Sequence, residues 1–74
     1  MTSLRRFGDT ALLVELDGLE EVVALYDSLT AEPVPGVTDI LPAARTLLIR
    51  FARPADAGAV ESAVESAVRA ARPA

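Results

Sequence analysis

Thr46-Leu47-Leu48-Ile49-Arg50-Phe51 is the stretch that decides how the rest of the chain is read. Successive side chains of an extended strand point to opposite faces, so Leu47, Ile49 and Phe51 share one side and Thr46, Leu48 and Arg50 the other. The first side is apolar throughout and the second is mixed, which predicts a strand with one face on a core. Just upstream, Pro42-Ala43-Ala44-Arg45 interrupts the pattern and Val37 to Leu41 resumes it, so the two segments form a hairpin. Pro42 has no N–H to give a central ladder and therefore suits an edge or loop position. Farther upstream the alternation returns in Ala11 to Leu16, with Leu12, Val14 and Leu16 on the core side and Ala11, Leu13 and Glu15 on the reverse. Gly8-Asp9-Thr10 supplies the turn that joins this strand to a short one at Leu4 to Phe7. Leu13 and Leu48 are then the apolar residues left on the outer face of the two hairpins.

The segments between the strands carry a different period. Leu19, Val22, Val23, Tyr26 and Leu29 recur as the stripe of an amphipathic helix, expected to pack on the sheet. Asp17, followed three residues later by Glu20, predicts an N-cap with a capping box, and Glu20 and Glu21 suit the positive end of the helix dipole. Pro33 ends this helix, and Pro33-Val34-Pro35-Gly36 makes a stiff connector. Arg53-Pro54-Ala55-Asp56 starts a second helix over Ala57 to Ala71, with Val60, Val64 and Val68 beside Ala63, Ala67 and Ala71. That stripe is thin, so the helix either covers the sheet, the favoured reading, or admits another helix closely. Ala-Val-Glu-Ser occurs at Ala59 to Ser62 and again at Ala63 to Ser66, repeating a helical face rather than a domain. Glu65 and Arg69 have the spacing of a helical ion pair, and Pro73 stops the helix. The fold class that follows is α+β: a two-layer sandwich of ββαββα order, with a mostly antiparallel four-stranded sheet and two helices on one face.

Composition bounds what such a domain can do. Seventy-four residues make one domain, and an apolar share of 51% with 24% charged residues is that of a folding chain. There is no Cys or His, and all seven basic residues are Arg. Disulfides, thiolate nucleophiles, imidazole bases, the usual zinc ligands and a Lys Schiff base are thereby excluded. Carboxylates, guanidinium groups, hydroxyls and one Tyr remain, a set better suited to binding than to a self-contained active site. No cofactor and no metal are expected. The net charge of −4 has the wrong sign for a surface that tracks phosphates, so nucleic acid is not an expected partner. No apolar run approaches the roughly 18 residues of a membrane span, and Gly8-Asp9 interrupts any signal-like stretch after Arg5-Arg6. No membrane contact and a cytoplasmic location are the expectations.

Each candidate functional residue has a plain structural reading beside the chemical one. Gly8 and Asp9 could hold a ligand on a turn, yet short Gly-Asp turns abound in hairpins. Asp9 and Asp39 would serve as an acid–base pair only with one carboxyl desolvated, and nothing in the sequence marks that, so they read as solvated. Arg45, between Pro42 and Thr46, presents a guanidinium fork at a hairpin tip, where an Arg is more often simply exposed. Tyr26 reads as core with its hydroxyl at the rim.

Taken together, Phe7-Gly8-Asp9-Thr10-Ala11-Leu12-Leu13-Val14-Glu15 and Pro35-Gly36-Val37-Thr38-Asp39-Ile40-Leu41-Pro42-Ala43-Ala44-Arg45-Thr46-Leu47-Leu48-Ile49-Arg50-Phe51 resemble the N-terminal domain of the family that includes KipI, allophanate hydrolase subunit 1 and a 5-oxoprolinase component. The resemblance runs from about Leu4 to the last helix, and implies one N-terminal-type domain over residues 1–74 without the larger cyclophilin-like barrel of the family. It implies a protein partner: a second carboxyltransferase-type subunit in ATP-dependent opening of 5-oxoproline or allophanate metabolism, or the dimerisation and phosphotransfer helices of a sensor histidine kinase. A homo-oligomer also fits a domain this small. Under the resemblance Gly8, Asp9, Pro42, Arg45 and Thr46 serve turn geometry and subunit or interdomain contact, with no catalytic residue among them; Leu13 and Leu48, as apolar residues on a bare outer face, are the expected interface residues on their own account.

Overall fold

Both central strands follow the alternation of their sequence. In the computed structural model, which describes residues 2–70, Leu12 and Val14 of β2 (Ala11–Glu15) and Leu47 and Ile49 of β4 (Thr46–Phe51) are fully buried. The two strands pair antiparallel with Leu12 opposite Ile49 and Val14 opposite Leu47. β1 (Ser3–Arg6) pairs with β2 and β3 (Val37–Pro42) with β4, both antiparallel, so the sheet order is β1-β2-β4-β3. The apolar strands thus take the middle, where both ladders are satisfied, and the more polar strands take the edges.

Two helices cover the Leu12–Ile49 side. α1 (Leu19–Ala31) buries Val22, Leu25 and Leu29, and α2 (Ala57–Ala70), preceded by a 3-10 turn at Pro54–Asp56, buries Ala57, Val60 and Val64. Together with Leu16 and Phe51 they form a single core cluster, against which Leu4, Tyr26, Val37, Ile40 and Val68 pack at the margins. The two-layer α+β sandwich is therefore the fold, with its layers arranged as the periodicities predict.

Several local expectations are corrected. Leu19 and Val23 do not face the sheet but stand 62% and 49% exposed, and Leu25, outside the predicted stripe, is buried at 1%. Apolar residues surround so much of α1 that the sequence fits more than one rotation, and packing against β3, β4 and α2 selects the Val22–Leu25–Leu29 stripe. Gly18, not Asp17, occupies the N-cap, with extended backbone (φ −171°) and its carbonyl accepting the Val22 N–H at 3.2 Å. β3 runs one residue past Leu41, to Pro42, where the missing N–H costs nothing on an edge strand. Among the described residues the Glu65–Arg69 pair is not formed, and α2 instead offers Glu61 to Arg6 of β1 at 3.5 Å. Ala71 and Pro73 lie outside the described residues.

The connectors are fixed by backbone. Gly8 (φ +78°) turns β1 into β2, where the Phe7 N–H donates to the Ala11 carbonyl at 3.0 Å. Gly36 (φ +93°) delivers the Pro-rich connector into β3, and its carbonyl accepts the Ala52 N–H at 3.0 Å. Positive φ is a conformation that only Gly adopts without strain, so both positions need it.

Candidate functional site

With both helices on one side, the reverse of the sheet is left bare, and the pairing register fixes what it displays. Cross-strand partners point the same way. Arg5 faces Leu13, Leu13 faces Leu48 and Leu48 faces Leu41, so one row crosses all four strands on the outer face. Leu13 and Leu48 are half-buried by their neighbours, and Leu41 is 46% exposed. The three leucines form an apolar bar across β2, β4 and β3.

Polar rows flank the bar. On one side Ser3, Glu15 and Thr46 line up, and Glu15 accepts from the Arg5 guanidinium at 2.7 Å and the Ser3 hydroxyl at 3.2 Å. On the other side Ala11, Arg50 and Asp39 line up, with the Thr38 hydroxyl donating to the Arg50 carbonyl at 3.3 Å. An apolar centre inside a rim of charge is the general anatomy of a protein-binding face. The Arg5–Glu15 pair is exposed on both sides, so it orders the rim more than it stabilises the fold.

The predicted site residues divide into three places. Leu13 and Leu48 are direct cross-strand partners at the middle of the sheet. Pro42, Arg45 and Thr46 stand together at the β3–β4 hairpin, closed by the Ala43 N–H on the Thr46 carbonyl at 2.9 Å. Arg45 is anchored through its main chain, whose carbonyl accepts the Leu16 N–H at 2.8 Å, while its side chain is exposed beside Ser3, Glu15, Leu16, Asp17 and Thr46. Gly8 and Asp9 lie at the opposite end of the sheet, next to Phe51, whose N–H donates to the Thr10 carbonyl at 2.9 Å. The length of β2 separates the two ends, so these residues do not converge on one site. Asp9 lies in the turn between β1 and β2, and Asp39 lies on the edge strand β3, with β4 between β2 and β3.

Leu41 is the residue of this face that the sequence pattern does not single out. Its place follows only from the hairpin register, in which a two-residue loop at Ala44 and Arg45 sets Leu41 opposite Leu48. Among the described residues no polar or charged side chain is buried. The face offers an apolar centre bordered by exposed charge.

Comparison with known proteins places the chain. Residues 2–74 match the family described as carboxyltransferase domain, subdomain C and D. No curated protein matches the sequence.

Proposed function

The chain belongs to the carboxyltransferase domain family, subdomain C and D, and from that premise we propose that it is a noncatalytic docking module. Its bare sheet face seats against a second subunit or domain of an ATP-dependent amide or lactam hydrolase complex of the allophanate hydrolase or 5-oxoprolinase kind. The observation that carries this reading is the Leu13–Leu48–Leu41 bar, an apolar strip left uncovered by a fold that encloses every other leucine of its central strands. A small domain with an uncovered apolar face gains by burying it against a partner. The absence of Cys, His and Lys, together with the lack of buried polar side chains among the described residues, supports a role in binding.

Substituting this bar tests the reading. Leu13→Asp places a charge at its centre and should weaken the affinity for the second subunit at least tenfold, roughly the loss typical of a central interface residue. Leu41→Asp, on the edge strand and more exposed, serves as the second variant because it leaves the core side of the sheet untouched. Circular dichroism verifies that both fold, and titration calorimetry measures the affinity. Unchanged affinity in both variants removes the bar from the interface.

A second reading concerns Arg45. Its main chain is held by Leu16 while its guanidinium makes no ion pair among the described residues. In the reconstituted complex, Arg45→Ala is expected to lower kcat/KM if that guanidinium enters the partner's site. Wild-type kcat/KM with intact assembly leaves docking as the sole role.

A further inference from the structure

α1 carries a second apolar stripe that its own fold does not cover. Leu19 and Val23 stand one helical turn apart, 62% and 49% exposed, while the same helix turns Val22, Leu25 and Leu29 into the core. A helix apolar on two sides is suited to lie between two packed layers, and here only one layer is present. The stripe also forms part of a groove. Leu19, Val23 and Tyr26 make one wall, and Pro42 and Ala43 of the β3–β4 hairpin make the other.

Charge decides what the groove would accept. On the solvent side Leu19 and Val23 also border a depression completed by Ala24, Glu20 and Asp27. The charged side chains of α1 are Glu20, Glu21 and Asp27, all acidic, and none of the seven Arg residues lies on this helix. An occupant bearing carboxylates would meet like charge along the α1 side of the groove, whereas Lys or Arg would find partners there.

We propose that this groove seats a basic amphipathic helix of a partner protein. Its apolar residues at i and i+4 lie against Leu19, Val23 and Pro42, and its Lys or Arg residues face Glu20 and Asp27, a helix-in-groove mode of recognition. The groove is on the helical side of the sheet, so it is a different surface from the Leu13–Leu48–Leu41 bar and does not depend on it.

Two synthetic helices of about five turns, one with Leu at i, i+4 and i+7 and Lys elsewhere, the other with Glu in place of Lys, are the probes, and fluorescence anisotropy is the readout. The Leu/Lys peptide is expected to bind roughly tenfold tighter than the Leu/Glu peptide, or more, and to weaken as salt is raised. Val23→Ser, and separately Leu19→Ser, should each reduce its affinity severalfold; both positions are exposed, so neither change opens a cavity. The pair Glu20→Gln and Asp27→Asn should weaken it as well, while Glu65→Gln on α2 and Leu13→Asp on the outer face should not. Equal binding of the two peptides, no binding, affinity indifferent to Val23 and Leu19, or a self-association abolished by Val23→Ser would each overturn the proposal, the last by showing that a second copy covers the groove.

Discussion

Ile49→Ala should leave most of the chain unfolded in water at 25 °C. Ile49 is fully buried at the centre of β4, with Leu12 opposite it on β2 and Ile40 opposite it on β3, and both helices pack over the same side. Removing its branched chain loses the transfer free energy of the deleted carbons and opens a cavity that a central strand cannot close, because its backbone is held by ladders on both sides. Such truncations cost about 2–5 kcal/mol. A core in a domain of this size supplies only about 3–5 kcal/mol of net stability, so the loss is comparable to the whole. Urea titration followed by far-ultraviolet circular dichroism measures it, and the expected curve has little or no native baseline. A cooperative transition displaced by less than about 1 kcal/mol would show that β4 is not the packed centre described here. Leu48→Ala is the matched control, since Leu48 points to the bare face and its removal leaves no enclosed void.

The second large effect belongs to a glycine. Gly36→Ala forces a side chain onto a backbone at φ +93°, and the new Cβ would sit 3.1 Å from the Asp56 carboxylate oxygen. That oxygen is one of the pair that binds the Arg53 guanidinium, at 3.4 Å, so it has a partner to lose if it yields. Gly36 also fixes the chain where its carbonyl meets the Ala52 N–H, at the joint between the connector, β3 and the end of β4. Left-handed backbone costs a non-glycine residue about 1–2 kcal/mol, and the contact raises the total to about 2–3 kcal/mol. Gly8→Ala isolates the backbone part: φ is +78° there, and an added Cβ meets nothing within 4 Å. Thermal melts should therefore rank Gly36→Ala well below Gly8→Ala, with Asp56→Ala recovering part of the difference in the double variant. Equal melting temperatures for the two alanine variants would remove Asp56 from the explanation.

The sheet is legible in the sequence because its signal is local and redundant. A period of two over six residues fixes which side chains share a face, and that is enough to place Leu13 and Leu48 on the outside and Leu12, Val14, Leu47 and Ile49 within. The rotation of α1 is not legible in the same way. Leu19, Val22, Val23, Leu25, Tyr26 and Leu29 supply apolar positions to two overlapping stripes, and the tertiary partners β3, β4 and α2 select between them. The cap falls one residue later than the spacing predicts, because Asp17 with Glu20 mimics a capping box, whereas Gly18, with its extended backbone, starts the helix.

The candidate site is partly legible for a related reason. The antiparallel β2–β4 pairing joins segments more than thirty residues apart, and it is what sets Gly8 and Asp9 at the opposite end of the sheet from Pro42, Arg45 and Thr46. A pattern within one strand contains nothing about its neighbour's neighbour. Leu41 likewise joins the bar only through the hairpin register. The resemblance carried by Phe7 to Glu15 and Pro35 to Phe51, stretches that hold Gly8, Gly36 and both central strands, agrees with the family that matches residues 2–74.

The role of the bare face is tested most directly by isotope-labelling the chain and following its amide resonances as a carboxyltransferase-type second subunit is added. The expected result is perturbation or broadening that begins at Leu13, Leu48 and Leu41, spreads to Arg5, Glu15 and Arg50, and is lost in Leu13→Asp. Saturable binding with those amides unmoved, or perturbation confined to α1 and α2, would contradict docking through the sheet.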